Sequence, residues 1–70
     1  RLHRAQVHAR VSQAVIELPP EQRKVIRMWA QGTSIRDMAR ASDAPADTVL
    51  SRKKYAMARM RGALAGLAHL

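Results

Sequence analysis

The most distinctive chemistry of this chain lies between Thr48 and Arg61, where basic side chains are frequent and no acidic residue occurs. The basic residues of this segment are Arg52, Lys53, Lys54, Arg59 and Arg61. A helix of this composition suits the major groove of duplex DNA, because its first turns reach base edges and its later residues meet phosphates. A charged face that contacts only water is the simpler alternative.

We predict individual contacts from side-chain chemistry. Base-edge or near-base contacts are expected from Thr48, Leu50, Ser51, Lys54 and Tyr55. Phosphate contacts, or a role in holding the helix, are expected from Arg52, Lys53 and Arg59. The ammonium of Lys54 is a point charge and also suits a phosphate. The flanking residues Lys24 and Arg36 are expected to add phosphate contacts, since Lys and Arg are the side chains that neutralise phosphates.

The charge of the whole chain points the same way. Its 70 residues hold 13 Lys and Arg against 5 Asp and Glu, which gives a net charge of +8. A small domain this basic usually meets a polyanion, although charge alone says nothing about fold. With no cysteine, the chain has no disulfide and no thiol nucleophile.

The sequence holds no recognisable catalytic set, so we expect a protein that is not an enzyme and that needs no cofactor or metal. His3, His8 and His69 lack the spacing of a helical metal pair. The acidic residues fall near predicted helix ends, where capping explains most of them. Trp29 shares helical spacing with Val25 and is expected in the core.

Proline and glycine divide the chain into four predicted helices, with no alternating strand pattern, so the class is all-α. The helices are expected at about 2–17, 20–31, 35–41 and from 45 to 65 or 67. Pro19 and Pro20 stop the first. Gly32 ends the second with positive φ, Ser34 caps the third, and Asp43 or Ala44 caps the fourth.

The interior sides of these helices follow from apolar spacing. The first helix should bury Val7, Val11, Ala14, Val15 and Leu18, and the third Ile35, Met38 and Ala39. The fourth should form a seam of Val49, Ala56, Met60, Ala63, Leu64 and Leu67. The run from Ser34 to Arg52 then reads as helix, tight break and helix, which is the pattern of a helix-turn-helix.

We expect residues 1–70 to form a single domain, the C-terminal part of a longer chain. The first residues are rich in Arg and His rather than apolar, unlike a secretory signal. No apolar run approaches the roughly 20 residues of a membrane span. A cytoplasmic location is therefore expected.

Several motifs together resemble the C-terminal region-four domain of bacterial sigma factors, most closely the extracytoplasmic-function subgroup. The residues that carry the resemblance are Leu18-Pro19-Pro20, Arg23, Val25, Gly32, Ser34, Met38-Ala39, Pro45, Thr48-Val49, Ser51-Arg52, Ala56 and Arg59. The resemblance spans about Val11 to Leu64. It implies a four-helix, winged-helix-like domain with a helix-turn-helix whose last helix binds the minus-thirty-five promoter element in transcription initiation. It also implies docking on the RNA polymerase β flap and sequestration by an anti-sigma factor.

Some positions depart from the usual pattern of that family. Ser42-Asp43 stands where a Leu-Gly pair is common, and Asp47 replaces a frequent glycine. Leu50 occupies a usually basic position and Lys53 a usually apolar one, as if the two had exchanged roles, while Tyr55 replaces an arginine. These departures leave the promoter sequence open.

Alternative functions fit parts of the same pattern. The output domain of LuxR/NarL-type transcriptional regulators has similar spacing from Leu18 to Val49, but a shorter recognition helix. A sigma-like interaction module that binds an anti-sigma partner would account for Leu50 and Asp47. A basic RNA-binding domain is a further alternative, but the chain is expected to lack the exposed aromatic rings on which single-strand readers stack bases.

Overall fold

The computed structural model describes residues 4–65, and within that range the chain is all-helical, as predicted. Four helices follow one another: α1 (Arg4–Ile16), α2 (Pro20–Ala30), α3 (Ile35–Ser42) and α4 (Ala46–Leu64). No β-strand occurs between residues 4 and 65. None of the helices in this range combines the length and the apolar composition needed to cross a membrane.

The break between α1 and α2 forms where the two prolines predicted it. The backbone N–H of Leu18 still bonds to the Val15 carbonyl at 3.1 Å, and Pro19 then stands before the first residue of α2. Arg23 reaches back from α2 and donates from Nη1 to the carbonyl of Ile16 at 3.2 Å. This contact satisfies a carbonyl that the end of α1 leaves unpaired.

The end of α2 is a Schellman motif that requires Gly32. This glycine has φ +83°, a conformation that side chains with a Cβ rarely adopt. The N–H of Thr33 donates to Met28 O and that of Gly32 to Trp29 O, both at 3.0 Å. These two bonds close the last carbonyls of the helix, and the predicted stop is confirmed.

The helix α3 has a different device at each end. The hydroxyl of Ser34 accepts a bond from the Asp37 N–H at 3.1 Å, so the predicted N-cap is confirmed. At the other end Asp43 adopts a left-handed conformation with φ 49°, and the Ala44 N–H donates to Ala39 O at 3.1 Å. The predicted capping of α4 by Asp43 or Ala44 is wrong: Asp43 ends α3, and Pro45 precedes α4 without a side-chain cap.

Two clusters of buried side chains form the core, and α4 contributes to both. One cluster consists of Leu18, Ile26 and Ala56, with Val15, Met57 and Met60 packed against it. The other consists of Val25, Met38 and Val49, with Met28, Ile35, Ala39 and Ala44 packed against it. Because α4 contacts α1, α2 and α3, it is the central helix of the fold.

Several predicted core residues lie outside this core. Val7 is 37% exposed and lies in the first part of α1, where all residues from Arg4 to Arg10 are exposed. The fold covers only the later part of this helix, around Ala14. Ala63 is exposed as well. Leu67 lies outside the described residues. The prediction for Trp29 is wrong: its side chain is 46% exposed, because α4 covers its neighbours Val25 and Ile26 instead.

Candidate nucleic-acid interface

The outward face of α4 is defined by what the helix buries. Val49 and Ala56, two helical turns apart, are both fully buried. Residues on the opposite side therefore point away from the rest of the fold. That side carries the exposed residues Asp47, Ser51, Lys54, Ala58 and Arg61, which follow one another at intervals of one helical turn.

The predicted contact residues of α4 divide into two groups by exposure. Leu50, Ser51, Lys54, Tyr55 and Arg59 are exposed, whereas Thr48, Arg52 and Lys53 are half-buried. Leu50 and Tyr55 are large side chains with 47% and 58% of their surface exposed. The exposed group is accessible to a partner that lies along α4.

Lys53 is bound within the fold. Its Nζ lies 5.2 Å from the centroid of the Trp29 ring, within the range of a cation–π interaction. Its half-buried side chain links α4 to the last turn of α2. Of the two roles predicted for Lys53, the contact favours holding the helix over binding phosphate.

Lys24 also makes a contact inside the fold. Its Nζ donates to the carbonyl of Ala41 at 2.9 Å, in the last turn of α3. A positive charge there is favourable, because the carboxyl end of a helix carries partial negative charge. The ammonium has three donors, so this bond leaves capacity for a phosphate. Arg36, in the first turn of α3, is exposed.

Two basic residues of α3 and α4, Arg40 and Arg61, were not among the individually predicted contacts. Arg61 lies on the outward face of α4, two helical turns beyond Lys54. Arg40 is exposed one turn after Arg36 and lines an open groove with Asp43 and Pro45 where α3 meets α4. Arg61 could have been identified from its helical spacing to Lys54, and Arg40 from its helical spacing to Arg36.

The exposed cations of α3 and α4 allow this arrangement to bind a polyanion. Between residues 4 and 65, no group of three or more His, Cys, Asp or Glu side chains could hold a metal ion. The acidic residues Glu21, Asp37 and Asp47 lie in first turns of helices, where the helix dipole favours negative charge.

Comparison with known protein families, curated proteins and solved structures finds no match to this chain.

Proposed function

We propose that this protein binds double-stranded DNA through the outward face of α4, with α3 and α4 acting as a helix-turn-helix. The supporting observation is the exposed row of Ser51, Lys54 and Arg61 opposite the buried Val49 and Ala56. In such a unit the second helix enters the major groove and the first crosses the backbone.

The packing between α3 and α4 supports a rigid reading unit. Met38 and Val49 are fully buried in one cluster, and the turn of Asp43–Pro45 between the helices is short. This packing fixes the angle between α3 and α4 before DNA is bound. Binding therefore costs little conformational entropy, because the two helices need no further ordering.

The binding mechanism combines electrostatic attraction with groove contacts. Lys54, Arg59 and Arg61 are exposed cations on α4 and neutralise phosphates, which releases counterions. Leu50, Ser51 and Tyr55 face base edges, as the early turns of a recognition helix do. Arg36 and Arg40 extend the positive charge onto α3.

We further propose that the DNA is a bacterial promoter and that the chain acts as a sigma-factor region four, on the resemblance given above. That role includes contact with the minus-thirty-five element, docking on RNA polymerase, control by an anti-sigma factor and a cytoplasmic location. The 19-residue α4 supports it over the LuxR/NarL-type alternative, which has a shorter recognition helix.

The test is selection from a random duplex DNA pool with the 70-residue chain, at low and near-physiological salt. We expect a short motif that remains enriched at the higher salt, because base contacts do not depend on counterion release. Unenriched DNA recovered only at low salt would reject groove readout. Because Trp29 and Tyr55 are exposed, single-stranded RNA is the necessary competitor, and its preferential retention would favour an RNA-binding function.

A protein-interaction module is the second candidate, and the exposed apolar side chains Trp29 and Leu50 favour it. Leu50→Lys separates the two functions. Stronger DNA binding by this variant would support DNA binding through a face of α4 that Leu50 weakens. Loss of binding to an anti-sigma protein would support the interaction role. Circular dichroism establishes that the variant remains folded.

A further inference from the structure

Leu50 is a large apolar side chain on α4 that is exposed, and packing within the fold does not account for this exposure. The adjacent Val49 is fully buried, so Leu50 projects past the edge of the core with 47% of its surface exposed. Trp29, also exposed, has its ring beside the Lys53 ammonium, and Tyr55 carries a hydroxyl that can bond to water. Leu50 has no polar group, so its burial requires an apolar partner.

The surroundings of Leu50 restrict what that partner can be. Lys54 follows it by one helical turn and is exposed, and Arg61 continues the positive charge on the same side of the helix. An apolar protein groove would have to cover these cations as well, whereas DNA supplies phosphates for them. The charge complementarity therefore favours duplex DNA as the occupant.

The major groove offers an apolar group at one place on the base edges, the C5-methyl of a pyrimidine. We propose that Leu50 reads this methyl group and so determines part of the sequence preference of α4; the proposal rests on the DNA-binding function above. Leu50 lies early in α4, in the part of a recognition helix that reaches base edges.

Two bases carry that methyl group, thymine and 5-methylcytosine. They differ at the next atom of the groove edge, where thymine presents the O4 acceptor and cytosine the N4 donor. Asp47 is exposed one helical turn before Leu50. Its carboxylate would accept a hydrogen bond from the N4 amino group of cytosine and would be repelled by the O4 oxygen of thymine. The preferred base depends on whether Leu50 and Asp47 contact the same base pair, and the experiment distinguishes these two cases.

The experiment uses the 70-residue chain and the duplex motif that it selects from a random pool. Each thymine of the motif is replaced in turn by deoxyuridine, which removes only the methyl, and each cytosine by 5-methylcytosine, which adds it. Dissociation constants are measured by fluorescence anisotropy for the natural chain, for Leu50→Ala and for Leu50→Met. Circular dichroism establishes that the exposed-site variants remain folded.

We expect one position at which the methyl strengthens binding about fourfold, the effect of burying one such group. Leu50→Ala should remove this difference and Leu50→Met should keep it. An effect of deoxyuridine identifies thymine as the base, and an effect of 5-methylcytosine identifies the methylated base.

Equal affinity with and without every methyl would overturn the role of Leu50 while leaving DNA binding intact. Methyl discrimination that persists in Leu50→Ala would overturn it too, because another side chain would then be the reader. Failure of the natural chain to bind any duplex would reject the proposed function itself.

Discussion

The ammonium of Lys53 lies 5.2 Å from the centroid of the Trp29 ring and thereby connects α4 to the end of α2. Lys53 is half-buried on α4, so its aliphatic stem can pack against the fold while its charge lies over the ring.

Replacing Lys53 by Met removes the charge and keeps a side chain of similar length. We expect the free energy of unfolding to fall by about 0.5–1 kcal/mol, the size of a partly exposed cation–π interaction. Urea denaturation followed by fluorescence measures it, and Trp29 is the only tryptophan in the chain. Lys54→Met, at an exposed site, is the control and should leave stability nearly unchanged. An equal loss in both variants would count against the contact.

Asp43 ends α3 in the left-handed region with φ 49°, where glycine is the least strained residue. We expect Asp43→Gly to raise the free energy of unfolding by about 0.5 kcal/mol, since relief of strain exceeds the added entropy of the unfolded chain. Asp43→Val should lower it by roughly 1–2 kcal/mol, because a β-branched side chain resists this conformation. Thermal denaturation of both variants gives the order, and a more stable valine variant would contradict it.

Met38 is fully buried between α2 and α4, in the cluster with Val25 and Val49. Met38→Ala should cost about 2–5 kcal/mol through lost burial and the cavity left behind. A domain this small has little stability in reserve, so helicity measured by circular dichroism should fall across the whole domain. Arg36→Ala, exposed on the same helix, serves as the control and should stay folded. A loss below about 1 kcal/mol for Met38→Ala would mean that α3 packs differently.

Lys54 is exposed on the outward face of α4 and is expected to meet a phosphate. Lys54→Ala should weaken binding to all duplexes and reduce the slope of log K against log salt by about 0.9. Affinities measured across a salt series test this. The charge-matched control is Arg10→Ala, which removes an exposed cation from α1. If both variants lowered the slope equally, attraction would come from the overall charge rather than from α4.

The sequence by itself determined the helices and most of their ends. Pro19 and Pro20, the positive φ of Gly32 and the hydroxyl of Ser34 act on the backbone within a few residues, so their effects are predictable without the rest of the fold. The burial of Met38 and Val49 agrees with the helical spacing of apolar residues along α3 and α4.

The tertiary structure decided which part of each apolar stripe is covered. Helical spacing predicted that Trp29 is buried together with Val25. The path of α4 past α2 instead leaves the Trp29 ring half-exposed beside Lys53. The bond from Lys24 to Ala41 likewise joins residues distant in sequence, and Asp43 ends α3 instead of capping α4. These outcomes depend on how two helices approach each other, and helical periodicity contains no information on that approach.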